Sequence, residues 1–433
     1  MAAVVHNAVR HDARVLKSAG SLKARGHDVR LFGLTGDETE DFVLPNGIPV
    51  HLEHRDLSDI RGRVEREGLP EGKESSVWTS FRIQGETIFN SVAREFAPEI
   101  VHVHDHLALT AASRYKETFK CGIIWDAHEI YEALASIEAH RGAVNARIIA
   151  ENAEHVDGFI TLNESIADFY RDKYPALPPA TLIPNAVERV TLTSYDGRLH
   201  QTAGLRSEQK ILLFQGGFSP HRGISALLEC SLHLREDWSL VFMGWGKLEQ
   251  EIRKYADADS NRPPGRAAVA MVPSAQHDEL LLWTAGASLG TIPYENTGLN
   301  HLYCSPNKLW EYPAAGVPIL ATDMPEMQRK IVKNDIGIIV SRELSPVVIA
   351  QAVNQLSDAR MRELRSNCSK YAIQESWQTY ESRLINLHLK TFQDAHMHRS
   401  QFVRAWARVM SGRGAVSKKL KKSASETKRR QQK

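Results

Sequence analysis

The chain has 433 residues, 42% of them hydrophobic and 24% charged, a balance typical of soluble globular proteins and a length that suits two domains. No apolar run reaches 18 residues, which excludes a transmembrane helix, and the four cysteines (Cys121, Cys230, Cys304, Cys368) form no CxxC pair, which argues against a disulfide framework or a zinc site and fits a reducing cytoplasm. The net charge of +2 hides an asymmetry: from Arg399 onward there are 12 Lys or Arg and one Glu, leaving 42 basic and 51 acidic groups in the other 398 residues.

The polar start "MAAVVHNAVRHDAR" does not read as a signal peptide. "AAVVHN" (2–7) and "DVRLFGL" (28–34) read as strands, with apolar residues at helical spacing between them (11–27). "EIVHVHD" (99–105), "GIIWDAHE" (122–129), "GFITLN" (158–163) and "ATLIPNAVE" (180–188) are further apolar runs ending in polar residues. Regions 51–80 and 130–150 carry no readable pattern. Residues 189–209 are polar and read as a linker.

The rhythm then restarts. "KILLFQGG" (210–217), "WSLVFMGWG" (238–246), "AAVAMVP" (267–273), "ASLGTIPY" (287–294), "VPILAT" (317–322) and "IGIIVS" (336–341) read as strands separated by helical segments. Strands alternating with helices imply parallel sheets, so the expected fold is α/β, two doubly wound Rossmann-like domains facing across a cleft. The expected boundaries are 1–188, 205–375, a terminal helix 376–398 and a basic tail 399–433.

Candidate chemistry sits where strands end. In "QGGFSPHRGI" (215–224), Gly216 and Gly217 allow a tight turn, and Arg222 precedes a helix where it could pair with a diphosphate. "MGWGKLE" offers a second turn at Gly244, and the loop after Pro273 could meet a base through its backbone. In "SPNKLWEYPAAGVPILAT", Ser305 is a suitable cap and Pro306 a suitable first residue for a short helix. Asn307, Lys308 and Glu311 then share one side of it. Taken singly, each is more often an ordinary glycine turn or a surface Lys–Glu pair. In the first half, His6, His102, His104, His106 and His128 crowd strand ends, but no tetrahedral set with Cys is apparent, so no metal is expected. Asn7 and Asp105 end their strands on the same side.

Together and in order, these segments resemble the GT-B glycosyltransferases of the large retaining family four (glycosyl transferases group 1), over residues 1–395. The likeness rests on "QGGFSPHRGI", "MGWGKLE", the stretch 292–326 and "IGIIVS" in the second half, and on "VHVHDHLAL", "WDAHEIYE", "ITLNESIADFYRDKY" and "LIPNAVE" in the first. It implies a transferase of hexosyltransferase type that uses a nucleotide-diphospho-sugar donor, with no metal or other cofactor. Donor binding would fall to Gly216, Gly217, Arg222, Gly244, Pro273, Ser305, Asn307, Lys308 and Glu311, with Arg222 on the diphosphate and Glu311 on the ribose. The acceptor, a glycan, lipid-linked or surface-polysaccharide precursor, would meet Asn7, Asp105 and His128. His128, Arg222 and Lys308 would be catalytic. The chain departs from the family pattern at Gly217, where a second basic residue is frequent, at Tyr303, where the first of a pair of glutamates would fall, and at Pro313, where a kink is expected. Those departures keep alternatives open: a degenerate nucleotide-sugar-binding or scaffold protein, or a nucleotide-sugar epimerase.

Phe402, Trp406 and Val409 in the tail recur at helical spacing with Arg404 and Arg408 on the other side, as in helices that lie on anionic lipid. The expected location is cytoplasmic, or peripheral on the inner membrane face. Nucleic acid is not an expected partner, because the body is acidic and aromatic residues are sparse in the tail.

Overall fold

The structure is a computed structural model that describes residues 1–10, 12–66, 73–134, 138–190, 194–259 and 268–397. The basic tail 399–433 lies outside the described residues.

Two parallel sheets are present. The first contains β1 (Ala2–Val4), β2 (Arg30–Thr35), β3 (Glu40–Val43), β4 (Pro49–His54), β5 (Ile100–His104), β6 (Gly122–Ala127), β7 (Gly158–Thr161) and β8 (Ala180–Leu182), in the order β3-β4-β2-β1-β5-β6-β7-β8. Among the described residues, only the β3–β4 pair is antiparallel. The second contains β9 (Lys210–Gly217), β10 (Trp238–Trp245), β11 (Val269–Val272), β12 (Leu289–Ile292), β13 (Ile319–Thr322) and β14 (Gly337–Val340), in the order β11-β10-β9-β12-β13-β14. β6 is buried throughout and β10 up to its last residue, which is why they appear as unbroken apolar runs. In each sheet the strand order reverses beside one strand, between β1 and β5 and between β9 and β12. Such switch points open crevices at the carboxyl ends of the strands, where α/β proteins bind ligands.

Strand β4 and the helices Leu57–Arg66, Lys73–Glu95 and Ala139–Asn152 overlap the stretches 51–80 and 130–150, where the sequence carried no clear pattern. The expected linker 189–209 is ordered in part: the helix Arg198–Thr202 buries Leu199 and His200, and the Tyr195 hydroxyl accepts from the His200 backbone N–H at 3.0 Å.

The terminal helix spans 377–397 and returns to the first domain. Trp377 donates from Nε1 to Ser21 Oγ at 2.9 Å, and its backbone N–H donates to the Val187 carbonyl at 2.8 Å. Further along, the helix lies so close to the first sheet that a Cβ added at Gly122 would stand 2.7 Å from Thr391 Cγ2. The two domains also meet beside the cleft. Asn163 caps the helix Glu164–Lys173 by accepting from Ile166 N–H at 2.9 Å, and its Nδ2 reaches across to the Tyr303 carbonyl and Ser305 Oγ, both at 2.8 Å.

Candidate active site

The strand ends of the two sheets face a cleft of about 800 Å³. On the second-domain side, β9 leaves the sheet through Gly216, whose φ of +106° favours glycine. Gly244 pairs with it on β10, and a Cβ there would come within 2.0 Å of the Gly216 carbonyl oxygen. Gly216 also leaves room for Lys308, whose Nζ would stand 3.2 Å from a Cβ there. Lys308 Nζ donates to the Tyr294 hydroxyl at 3.1 Å, and the Arg222 guanidinium lies 4.2 Å from the centroid of the same ring. Tyr294 thus gathers two cations at one strand exit. One turn further along, Glu311 Oε2 accepts from Gln215 Nε2 at 2.8 Å, and Gln215 Oε1 accepts from Thr284 Oγ1 at 2.8 Å, so the carboxylate is fixed from beneath.

The helix that carries these groups is Lys308–Ala314. It starts two residues later than its sequence suggests, and Ser305 is not its cap. Ser305 Oγ instead accepts from Asn163 of the other domain, and residues 306–307 form a turn in which the Asn307 carbonyl accepts from Trp310 and Glu311 N–H. Pro313 has no N–H to continue the ladder, and the helix stops one residue after it.

On the first-domain side, β5 ends at Asp105, whose φ of +61° turns the chain out of the sheet, a conformation Asp tolerates. His128, just beyond β6, lines the cleft with Nδ1 3.3 Å from Asp105 Oδ1 and Nε2 3.4 Å from Asp126 Oδ2. Burial works against a charge on this ring, but the two carboxylates outweigh it and raise the pKa above the ordinary imidazole value. Burial would raise the Asp126 pKa, yet the Arg14 guanidinium, then His128, hold it well below the carboxylate range. Arg14 grips Asp126 with two bonds, Nε to Oδ2 at 2.8 Å and Nη2 to Oδ1 at 2.7 Å. His102, His104 and Asp126 present possible metal-ligand atoms within 4.8 Å of one another. A metal dication there would face the Arg14 guanidinium, which already holds both Asp126 oxygens, so the cluster suits an internal ion network better than a metal centre.

The family profile "Glycosyltransferase Family 4" matches residues 14–189, and "Glycosyl transferases group 1" matches residues 197–375. The chain belongs to the group 1 glycosyltransferases of GT-B fold. It is a transferase enzyme. Solved structures share the fold at low identity. Sucrose-phosphate synthase from Thermosynechococcus elongatus is 16% identical at a TM-score of 0.71, covering 91% of this chain and 99% of its own. A UDP-forming α,α-trehalose-phosphate synthase from Burkholderia xenovorans is 12% identical at 0.66, covering 90% and 100%. WaaG, a glycosyltransferase involved in lipopolysaccharide biosynthesis, is 14% identical at 0.60, covering 88% and 97%. No curated protein sequence matches the chain.

In this glycosyltransferase the cleft brings together eight of the residues singled out in the sequence: His128, Gly216, Arg222, Gly244, Ser305, Asn307, Lys308 and Glu311. Four others do not line it. Gly217 is exposed at the end of β9, paired with Trp245, and Pro273 is exposed just before Ser274–His277, which do face the cleft. Asn7 is tied into its own loop, accepting from Val9 N–H at 2.7 Å and donating to Asp12 at 2.9 Å. Asp105 acts on the cleft only through His128, and also accepts from the Tyr131 hydroxyl at 2.6 Å. Sequence reading missed Arg14, Gln215 and Tyr294. Tyr294 ends the run "ASLGTIPY", shortly before the motif that carries Lys308, and gave an available signal.

Proposed function

We propose that this glycosyltransferase moves a sugar from a nucleotide-diphospho-sugar to a hydroxyl of a glycan, lipid-linked or surface-polysaccharide precursor, with retention at the anomeric carbon and without a metal. The observation that carries the reading is the pairing of Arg222 and Lys308 on Tyr294 above Gly216, with Glu311 held one turn further on. Adjacent fixed cations suit a diphosphate, and a fixed carboxylate suits ribose hydroxyls. His128 on the opposite wall suits the acceptor. One structural neighbour, the UDP-forming α,α-trehalose-phosphate synthase from Burkholderia xenovorans, is in complex with glucose-6-phosphate, which supports a nucleotide-linked donor and a sugar acceptor.

In the proposed reaction the bond from the anomeric carbon to the diphosphate oxygen breaks. The acceptor oxygen bonds the same carbon from the same face, and its proton passes to the departing diphosphate oxygen. Arg222 and Lys308 stabilise the negative charge that grows on that oxygen, where fixed positive groups act most strongly. His128 faces two carboxylates that raise its pKa, so it suits orienting the acceptor oxygen better than taking its proton.

The test is thermal unfolding with UDP, GDP, ADP and their sugars, each with magnesium and with EDTA. A ligand bound only by the folded state raises the midpoint, by about 2.7 kcal/mol of stability at a hundredfold excess over Kd. One nucleotide family should give the shift with or without metal, and Glu311→Ala should abolish it. Silence from all of them at millimolar concentration would remove the reading.

No helix among the described residues is long and apolar enough to cross a membrane. A peripheral site on an anionic cytoplasmic membrane face is part of the proposal, supported by the basic tail sequence. Equal sedimentation with anionic vesicles of the full chain and of a chain ending at Ala395 would remove that part.

A further inference from the structure

Behind His128 stands a buried set of groups that bind no ligand in the reaction proposed above. Arg14 projects from the helix Ala13–Ala24 with its side chain 8% exposed, and Asp126 from β6 with its side chain 1% exposed. Besides its two bonds to Asp126, Arg14 donates from Nη1 to Asn185 Oδ1 at 3.1 Å, and Asn185 lines the cleft. Asp126 Oδ2 also stands 3.4 Å from His104 Nδ1 and 3.7 Å from His102 Nε2. His102 cannot supply charge near neutrality: burial, then neighbouring His104, push its pKa down to about 4. The titratable groups around His128 are therefore Asp105 and His104 from β5 and its exit, Asp126 from β6, Arg14 from the first helix, Glu129 next to it in the chain, and Tyr131, whose hydroxyl accepts from the His128 backbone N–H at 2.9 Å. Both carboxylates favour a charged ring, and Arg14 opposes that charge more weakly than Asp126 favours it.

We infer that the Arg14–Asp126 pair is a positioning unit for glycosyl transfer: it places a fixed carboxylate beside His128 Nε2, opposite Asp105 at Nδ1, and through Asn185 it fixes the neighbouring lip of the same cleft. The inference rests on the acceptor-side reading of His128. Asp126 and Arg14 need touch neither donor nor acceptor. Their effect reaches the reaction through the charge and tilt of one ring.

Imidazole NMR titration of the full-length protein tests this without substrate, with the His128 signal assigned by its loss in His128→Gln. The native midpoint should lie above the ordinary value of about 6.5. Asp126→Asn leaves the buried Arg14 charge unpaired, which works against folding, so the decisive variant is Arg14→Gln/Asp126→Asn, which removes both charges together. In it the His128 midpoint should fall, and Asp105→Asn should lower it independently. His51, which sits in a separate ion cluster, should keep its midpoint in both. The alkaline limb of the transfer rate should move to lower pH in parallel, while nucleotide Kd stays within twofold. An unchanged His128 midpoint in the double variant would overturn the inference. Absence of transfer in the native protein, with the midpoints moving as stated, would count against the proposed reaction while upholding the control of His128 by Asp126.

Discussion

Lys308 is held in the cleft by one hydroxyl and by the absence of a side chain at Gly216, so small changes at either position should be read out as chemistry. Lys308→Ala should lower kcat by about 10²–10³-fold, the usual cost of removing a group that stabilises transition-state charge, with little change in thermal midpoint. A loss confined to KM would instead make Lys308 a binding group only. Gly216→Ala should leave the fold intact but weaken nucleotide binding. Alanine is strained at φ +106°, and its methyl would crowd the Lys308 ammonium at 3.2 Å. Calorimetric titration with the nucleotide identified in the thermal screen measures it, and an unchanged Kd would show that Lys308 moves aside freely. Arg222 shares Tyr294 with Lys308, so Tyr294→Phe, which removes only the hydroxyl, separates the two: Lys308 loses its hydrogen bond and Arg222 keeps its ring.

Among the elements, the terminal helix carries the least expected load. It follows the second domain in sequence but packs on the first, with Trp377 buried to 3% exposure and bonded to Ser21. Trp377→Ala removes a large buried side chain and should cost about 3–5 kcal/mol. Urea unfolding should show that loss in the transition of the first domain. A loss confined to the second domain would contradict the packing seen here. The helix Lys308–Ala314 has the opposite character. It is only 7 residues long, carries Pro313 and has no side-chain cap, so its geometry is imposed by neighbours: Gln215 on Glu311, and the Tyr312 hydroxyl on the Leu213 carbonyl at 3.0 Å.

At the scale of the whole molecule, buried histidines set the response to acid. Burial pushes the pKa of His6 down to about 3 and those of His102 and His106 to about 4, and drives that of His388 well below the usual range. The unfolded chain protonates these rings near 6.5 and the native state does not, so their contribution is complete above that pH and is lost as pH falls toward their folded values. His51 and His128 act with the opposite sign: their pKa values are raised, so their contribution is complete below about 6.5 and fades as pH rises through the raised values. Below about 6.5 the two raised groups contribute a constant amount, so the four depressed ones set the slope. The thermal midpoint should fall between pH 6.5 and 4.5, and a flat profile over that range would show that these rings are hydrated in solution.

The sequence by itself determined the alternation of strands and helices, the two-sheet architecture, the glycine exits after β9 and β10, and the grouping of Lys308 with Glu311. Each of these is written within one element or one turn, where burial and steric demand leave a local periodicity or a glycine. Tertiary structure decided which distant groups meet. Arg14 lies 112 residues from Asp126 and 171 from Asn185, and no local pattern marks either pairing. Ser305 looked like a helix cap because caps are read from neighbours in sequence, yet its hydroxyl is taken by Asn163, 142 residues away. Strand β4 escaped notice because "PVHLEH" mixes buried and polar positions: His51 is buried, but among Asp41, Glu53 and Glu95 rather than in an apolar core. The partner of a buried charge is chosen by how the elements pack, and that choice is made only once the strand order is set.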